Sequence, residues 1–242
     1  MSVVSGSFRE RVRTGIEPLA RLLGRIGLTP NALTLIGFGI ASVAAWFAAQ
    51  EAWLVAGLLV AFGAIFDLFD GAVARATGTT SRLGAFLDST FDRAGESVVY
   101  IGIALGILAG RDAQGELTLF GLVFDGGLGA VIAMAAMGAA FMVSYTRAKS
   151  ESLGFSSGRG MANVGLAPRE VRAIILVIGL FVAGTYGVSM AALWPEGVTP
   201  APPMWWMVLV GTLALIAILA TLTTIQRILF VYRQSRNQEV ND

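Results

Sequence analysis

The chain has 242 residues, of which 55% are hydrophobic and 14% are charged, and its mean hydropathy is +0.73. This composition excludes an ordinary soluble domain and favours an integral membrane protein. Cysteine and histidine are both absent, which excludes disulfides, thiol nucleophiles and imidazole bases and leaves carboxylates as the candidate acid–base and metal-binding groups.

Residues 1–28 are predicted to form an amphipathic juxtamembrane helix. Ser7 and Glu10 fit a capping box at its start. Apolar residues then recur at helical spacing between arginines, at Phe8, Val12, Ile16, Leu19, Leu23 and Ile26. This pattern is typical of a helix lying on a membrane surface. Two roles remain open for it: a plain anchor, or a helix that also binds lipid headgroups.

Six apolar runs are long enough to cross a bilayer as helices, which needs about 20 residues. They cover residues 31–50, 53–75, 83–109, 117–146, 172–191 and 204–230. The fourth run is long and could begin later, near Leu128. None of the runs alternates with the period of a strand, and a spanning backbone must satisfy its own hydrogen bonds. Thr29 and Pro30 suit the N-cap and first position of the first helix.

We therefore expect an all-α integral membrane protein with six transmembrane helices. Residues 29–230 would form the transmembrane catalytic domain, and residues 231–242 a cytoplasmic tail. All but one of the 17 basic residues fall at the run ends that share one face, and only Arg111 falls on the other. The positive-inside rule then places both termini in the cytoplasm, in a multi-pass protein of the cell membrane.

Four aspartates lie near the cytoplasmic ends of the second and third runs. On a helix, Asp67 and Asp70 share one stripe with two small residues, Gly71 and Ala74. Small residues allow a helix or a ligand to approach the backbone closely. The second run thus presents two carboxylates beside an open surface.

The third run repeats this arrangement with Gly84, Asp88 and Asp92 at intervals of four residues. Two facing stripes would bring four carboxylates together, and such a cluster requires cations between its members. Ligation by carboxylate oxygens suits Mg²⁺ or Mn²⁺, and two ions could fit. Arg75 and Arg82 border the same site and could bind phosphate oxygens.

The aspartates have two other interpretations. A single intramembrane aspartate can simply pair with an arginine, but four in matched stripes favour a functional site. Acids within helices also mark ion-coupled transporters, whose sites tend to lie near the bilayer midplane. These aspartates lie instead toward the run ends that carry Arg75 and Arg82. An ion-coupled transporter is therefore the alternative function, in a different class from an enzyme.

Two segments carry a family resemblance: DLFDGAVAR at 67–75 and, eight residues later, GAFLDSTFD at 84–92. Together they resemble the signature of the CDP-alcohol phosphotransferases, also called class I CDP-alcohol phosphatidyltransferases. The resemblance implies a membrane enzyme of phospholipid synthesis, usually a homodimer, with its active site facing the cytoplasm. Such an enzyme transfers a phosphatidyl group from CDP-diacylglycerol to an alcohol and releases CMP. No nucleic-acid partner is expected.

The resemblance also implies roles for individual residues. Asp67, Asp70 and Asp88 would hold two divalent ions, Mg²⁺ or alternatively Mn²⁺. Asp92 would be the last metal ligand and the base that deprotonates the acceptor hydroxyl. The implied CDP-alcohol-binding positions are Asn31, Ala32, Leu33, Thr34, Gly71, Ala74, Arg75, Ser81 and Gly84.

The acceptor is predicted from two further segments, LDSTFDR and GLAPREVR, which are more similar to phosphatidylinositol phosphate synthases than to phosphatidylglycerophosphate synthases. Inositol 1-phosphate is therefore the expected acceptor, and glycerol 3-phosphate is the alternative. The implied acceptor-phosphate-binding residues are Arg147, Lys149, Arg169, Arg172 and Arg227. The positive-inside rule alone would also place basic residues at these positions.

Overall fold

A computed structural model describes residues 18, 22–23, 27–110, 117–119, 122–124, 126–155, 164–191 and 204–239. Within these ranges the regular secondary structure is helical apart from one short hairpin. The elements are α1 (Pro30–Ala49), α2 (Trp53–Thr77), α3 (Arg82–Ala109), β1 (Leu117–Leu119), β2 (Leu122–Phe124), α4 (Gly126–Ser152), α5 (Arg169–Ala191) and α6 (Met204–Glu239). The predicted juxtamembrane helix lies largely outside the described residues.

Four helical stretches in the described part of the chain are long and apolar enough to cross a membrane. They are Pro30–Ala49, Trp53–Ala76, Gly127–Ser152 and Met204–Arg236. These stretches support a helical membrane protein. The count of six spans stays a prediction, because it also needs α3 and α5, which are not among these four stretches.

The fourth apolar run differs from the continuous helix expected for residues 117–146. Its helix begins only at Gly126, and β1 pairs with β2 in an antiparallel hairpin just before it. Thr118 and Val123 are partners across this hairpin, and β-branched side chains favour strands over helices. The later start near Leu128 is therefore the better boundary.

The first three helices are connected by tight turns with well-defined caps. The Thr29 hydroxyl accepts a hydrogen bond from the Ala32 amide at 3.2 Å, which confirms the predicted N-cap of α1. The Ser81 hydroxyl caps α3 by accepting from the Gly84 amide at 2.9 Å. Gly78 ends α2 in the left-handed conformation, with φ of +66°. The two aspartate-bearing helices are thus joined by only four residues and run antiparallel.

Small residues allow α1 and α3 to pack with their backbones nearly in contact. A Cβ atom on Gly102 would lie 2.6 Å from the Cα of Ala45, well inside van der Waals contact. Buried alanines of α1, such as Ala44 and Ala48, continue the same interface. This close packing holds α3, and therefore its aspartates, at a fixed position relative to α1.

We expect Gly102→Ala to destabilise the protein by about 1–3 kcal/mol, because the added methyl group forces the two backbones apart. Gly138→Ala is the matched control, since no neighbouring atom lies within 4 Å of a Cβ added there. Thermal loss of helical circular dichroism in detergent measures both changes. Equal melting temperatures for the two variants would contradict the close α1–α3 contact.

Candidate active site

A cavity lies between α1, α2, α3 and α5. One end is charged and the remainder is mostly apolar. The charged lining residues are Asp67, Asp92, Glu96, Arg169 and Arg172, and the apolar ones include Phe38, Ala41, Leu59, Val60, Val99 and Leu176. Such a cavity suits a ligand with a polar head and an apolar tail.

Arg169 connects the two aspartate-bearing helices at the charged end of this cavity. Its Nη2 donates to Asp67 Oδ2 at 2.5 Å, and its Nη1 donates to Asp92 Oδ2 at 2.7 Å. One guanidinium from α5 therefore bridges a carboxylate of α2 and a carboxylate of α3. The structure thus brings together two of the four predicted aspartates around a single position of positive charge.

The other two aspartates are described to different extents. Asp88 lies one turn before Asp92 and interacts electrostatically with both Asp67 and Asp92. The side chain of Asp70 lies outside the described residues. Among the acidic side chains that are described, no group of three or more is close enough to hold a metal ion together.

The donor chemistry of this site nevertheless fits a divalent cation. Asp67 and Asp92 both offer carboxylate oxygens to one guanidinium, so this position already favours a positive charge. Oxygen ligands of this kind are those that Mg²⁺ and Mn²⁺ prefer. Asp67 and Asp92 are the described carboxylates that meet at this position, and the metal-binding role of all four aspartates, Asp67, Asp70, Asp88 and Asp92, stays a prediction.

Gly37 of α1 was not singled out by the sequence, yet it forms one wall of the site. A Cβ atom there would lie 3.3 Å from Asp67 Oδ1. The absence of a side chain therefore leaves room for the carboxylate beside α1. Only the packing of α1 against α2 reveals this contact, because Gly37 and Asp67 are 30 positions apart.

Glu96 is a second residue that the sequence analysis missed. Its carboxylate accepts from Arg172 Nη2 at 2.8 and 3.0 Å, from Arg172 Nε at 3.1 Å, and from Arg93 Nη1 at 3.1 Å. Arg172 is only 1% exposed, and its Nη1 also donates to the Ala167 carbonyl at 3.1 Å. All three guanidinium nitrogens of Arg172 are thus engaged within the protein. Glu96 lies four residues after Asp92, and Asp92 lies four residues after Asp88. Continuing this spacing along the helix would have identified Glu96.

Arg227, another predicted acceptor residue, is 3% exposed and anchors the segment that precedes α5. Its Nε donates to the Val164 carbonyl at 3.0 Å, and its Nη1 donates to the Val143 carbonyl. Nearby, the Thr223 hydroxyl accepts from the Ala167 amide at 2.9 Å. Helix α6 therefore fixes the backbone of the segment that leads into α5 and Arg169.

Arg147 and Lys149 are exposed near the end of α4 and do not line the cavity. Arg147 pairs with Glu151, one turn later on the same helix, at 3.0 Å. Of the five predicted acceptor-phosphate residues, the structure therefore brings two into the cavity, Arg169 and Arg172.

Several predicted nucleotide-binding residues meet at the junction of α1 with the α2–α3 turn. A Cβ atom on Gly84 would lie 3.1 Å from the Ser81 hydroxyl and 3.3 Å from Asn31 Oδ1. Thr34, on the next turn of α1 after Asn31, lines the cavity. Leu33 has a different environment, because it is buried in a small apolar cluster with Ala72 and Val73. The distances around Gly84 therefore place Asn31, Ser81 and Gly84 in one patch.

Comparison with known proteins identifies the family. A model of the CDP-alcohol phosphatidyltransferase family matches residues 27–199. The archaetidylinositol phosphate synthase of Pyrococcus horikoshii is 38% identical over 186 residues, which cover 76% of this chain and 87% of that protein. The phosphatidylinositol phosphate synthase of Streptomyces avermitilis is 32% identical over 221 residues, covering 91% of this chain and 79% of that protein.

Solved structures give the same result. The phosphatidylinositol phosphate synthase of Mycobacterium tuberculosis with CDP-DAG bound has a TM-score of 0.68 at 26% identity, covering 89% of this chain and 92% of that chain. A structure of that enzyme with manganese and citrate has a TM-score of 0.67 at 27% identity, covering 89% and 88%. The family match and the sequence identity to these relatives together show that this chain belongs to the CDP-alcohol phosphatidyltransferase family.

Proposed function

We propose that this protein transfers a phosphatidyl group from CDP-diacylglycerol to inositol 1-phosphate and releases CMP. The single observation that carries the proposal is the convergence of Asp67 and Asp92 at the charged end of an otherwise apolar cavity. A lipid donor needs both parts, because its pyrophosphate requires cations while its acyl chains require apolar walls.

The acceptor is supported by the relatives. The Pyrococcus horikoshii protein is named for archaetidylinositol phosphate and the Streptomyces avermitilis protein for phosphatidylinositol phosphate. These names differ in the lipid and agree in the inositol phosphate headgroup. Inositol 1-phosphate therefore has stronger support as the acceptor than any particular lipid tail has for the donor.

Metal dependence is the next part of the proposal. Asp67, Asp70, Asp88 and Asp92 would hold two divalent ions, Mg²⁺ or Mn²⁺, and the Mycobacterium tuberculosis relative has been solved with manganese. Bound cations supply positive charge that offsets the negative charge of the donor's pyrophosphate. Asn31, Ser81, Gly84 and the neighbouring residues of α1 would border the nucleotide.

In the reaction, Asp92 takes the proton from the acceptor hydroxyl. The acceptor oxygen forms a bond to the phosphorus that carries the diacylglycerol, and the bond from this phosphorus to the CMP oxygen breaks. CMP leaves with that electron pair, and Arg75 stabilises its charge. Asp92 then releases its proton to water, which restores the site.

The substrate assignment is tested with purified protein, CDP-diacylglycerol, Mg²⁺ and a panel of acceptors: inositol 1-phosphate, inositol, glycerol 3-phosphate and serine. CMP release is the readout, and inositol 1-phosphate should give the fastest rate. Fastest release with glycerol 3-phosphate would instead indicate a phosphatidylglycerophosphate synthase. Ion flux in proteoliposomes without CMP release from any acceptor would indicate a transporter.

For the membrane arrangement we propose six spans, with both termini and the active site on the cytoplasmic side. Gln50 and Thr80 lie in turns at opposite ends of α2 and are both exposed. The chain has no cysteine of its own, so a single introduced cysteine gives an unambiguous label. In sealed cells we expect an impermeant maleimide to label Gln50→Cys and not Thr80→Cys. Labelling in the reverse order would contradict the orientation.

For the assembly we propose a homodimer, as the family resemblance implies. Light scattering of the protein eluting from a sizing column, corrected for bound detergent, should give twice the mass of the chain, which is 25.4 kDa.

A further inference from the structure

Arg169 takes the position that the proposed cation site requires. Both of its terminal nitrogens are engaged, one by Asp67 Oδ2 at 2.5 Å and the other by Asp92 Oδ2 at 2.7 Å. A guanidinium and a divalent cation held by the same two carboxylates would repel each other at close range. In this arrangement the two carboxylates can therefore bind either Arg169 or the cation, but not both.

The backbone around Arg169 is anchored by contacts that do not involve the Arg169 side chain. One turn further along α5, Arg172 is held by Glu96 and by the Ala167 carbonyl. Upstream, the Thr223 hydroxyl holds the Ala167 amide. The backbone on both sides of Arg169 is thus anchored, whereas its side chain is 35% exposed at the charged end of the cavity.

From these contacts we infer that Arg169 is an internal counter-ion that a divalent cation displaces, and that the displaced guanidinium then binds the phosphate of the acceptor. The inference rests on the proposed function, because it takes the aspartates as metal ligands and the acceptor as a phosphate ester. It gives Arg169 two successive partners, the carboxylates before metal binding and the acceptor phosphate afterwards.

Two consequences follow from this exchange. The acceptor phosphate finds its arginine only after the cation has bound, so the cation binds before the acceptor. Asp92 is also released from its ion pair by the same event, so it becomes available as a base only in the metal-loaded site. Premature binding of the acceptor to a metal-free site is thereby disfavoured.

The test measures Mn²⁺ binding to the purified full-length protein without substrates, from the electron paramagnetic resonance signal of free Mn²⁺. Wild type is compared with Arg169→Gln and with Arg233→Gln, an exposed arginine at the end of α6. Arg169→Gln should bind Mn²⁺ about tenfold more tightly than wild type, because the competing charge-assisted pairs are gone. Arg233→Gln should bind it as wild type does. The acceptor's KM should rise by about tenfold or more in Arg169→Gln.

A second measurement covers the case in which Arg169→Gln is unstable without metal. Mn²⁺ should then raise its melting temperature by more than it raises that of wild type. Equal or weaker Mn²⁺ affinity in Arg169→Gln would overturn the inference and leave the metal site standing. Failure of wild type and both variants to bind Mn²⁺ would instead overturn the metal site, and with it the proposed function.

Discussion

Replacing Asp92 with asparagine is expected to lower the rate of CMP release by about 100- to 10,000-fold, the usual contribution of a general base. The amide keeps the size of the side chain but cannot accept the acceptor's proton. Asp67 and Asp88 still provide carboxylates on the facing helices, so at least one cation and the donor should still bind. The measurement pairs single-turnover CMP release with Mn²⁺ binding for the same preparation.

Matched variants separate this role from metal binding. Asp67→Asn, Asp70→Asn and Asp88→Asn should also abolish activity, but through weakened Mn²⁺ affinity. Asp92→Asn should differ from these three variants, because it should lose CMP release while it still binds Mn²⁺. Turnover near the wild-type rate in Asp92→Asn would show that another group takes the proton.

Replacing Glu96 with alanine is expected to destabilise the protein by about 3–5 kcal/mol, because it leaves the charge of Arg172 buried without its partner. Arg172 is 1% exposed, and Glu96 is the carboxylate that its guanidinium contacts. Thermal unfolding in detergent measures the loss. Glu96→Gln, which keeps a hydrogen-bond acceptor, should lose less stability.

Glu151→Ala is the control for this prediction. Its pair with Arg147 has a similar nitrogen–oxygen distance of 3.0 Å, but the two side chains are 51% exposed on Arg147 and 40% on Glu151. An exposed pair of this kind contributes about 0–1 kcal/mol. If the two variants lost equal stability, the Arg172–Glu96 pair would not be what holds the start of α5 against α3.

The local signals that predicted the fold act within one helix or at its ends. The Thr29 cap, the Pro30 start and the apolar runs depend on neighbouring residues, so the sequence predicted α1, α2 and α3 closely. Hydropathy could not find the hairpin before α4, because Leu117–Phe124 is as apolar as the helix that follows. The hairpin and α4 differ instead in β-propensity, and the surrounding structure readily overrides this propensity.

Only part of the candidate site could be predicted from the sequence. Periodicity placed Asp67 and Asp92 on stripes, and the structure shows these two meeting at Arg169. The positive-inside rule explained why arginines lie on this face, but it contains no information about burial or partners. It could not show that Arg172 is enclosed by Glu96 or that Arg227 donates to backbone carbonyls. Those contacts join distant parts of the chain: α3 to α5 through Glu96 and Arg172, and α6 to α4 and the segment before α5 through Arg227.

The central claim is metal-dependent transfer of a phosphatidyl group to a phosphorylated inositol. Its most direct test incubates the wild-type protein with CDP-diacylglycerol and inositol 1-phosphate and quantifies the lipid product and CMP together by mass spectrometry. Metal-dependent transfer should give equal amounts of phosphatidylinositol phosphate and CMP, loss of both on chelation with EDTA, and recovery of both on addition of excess Mg²⁺ or Mn²⁺. Release of CMP without the lipid product, or product formation that EDTA leaves unchanged, would contradict it.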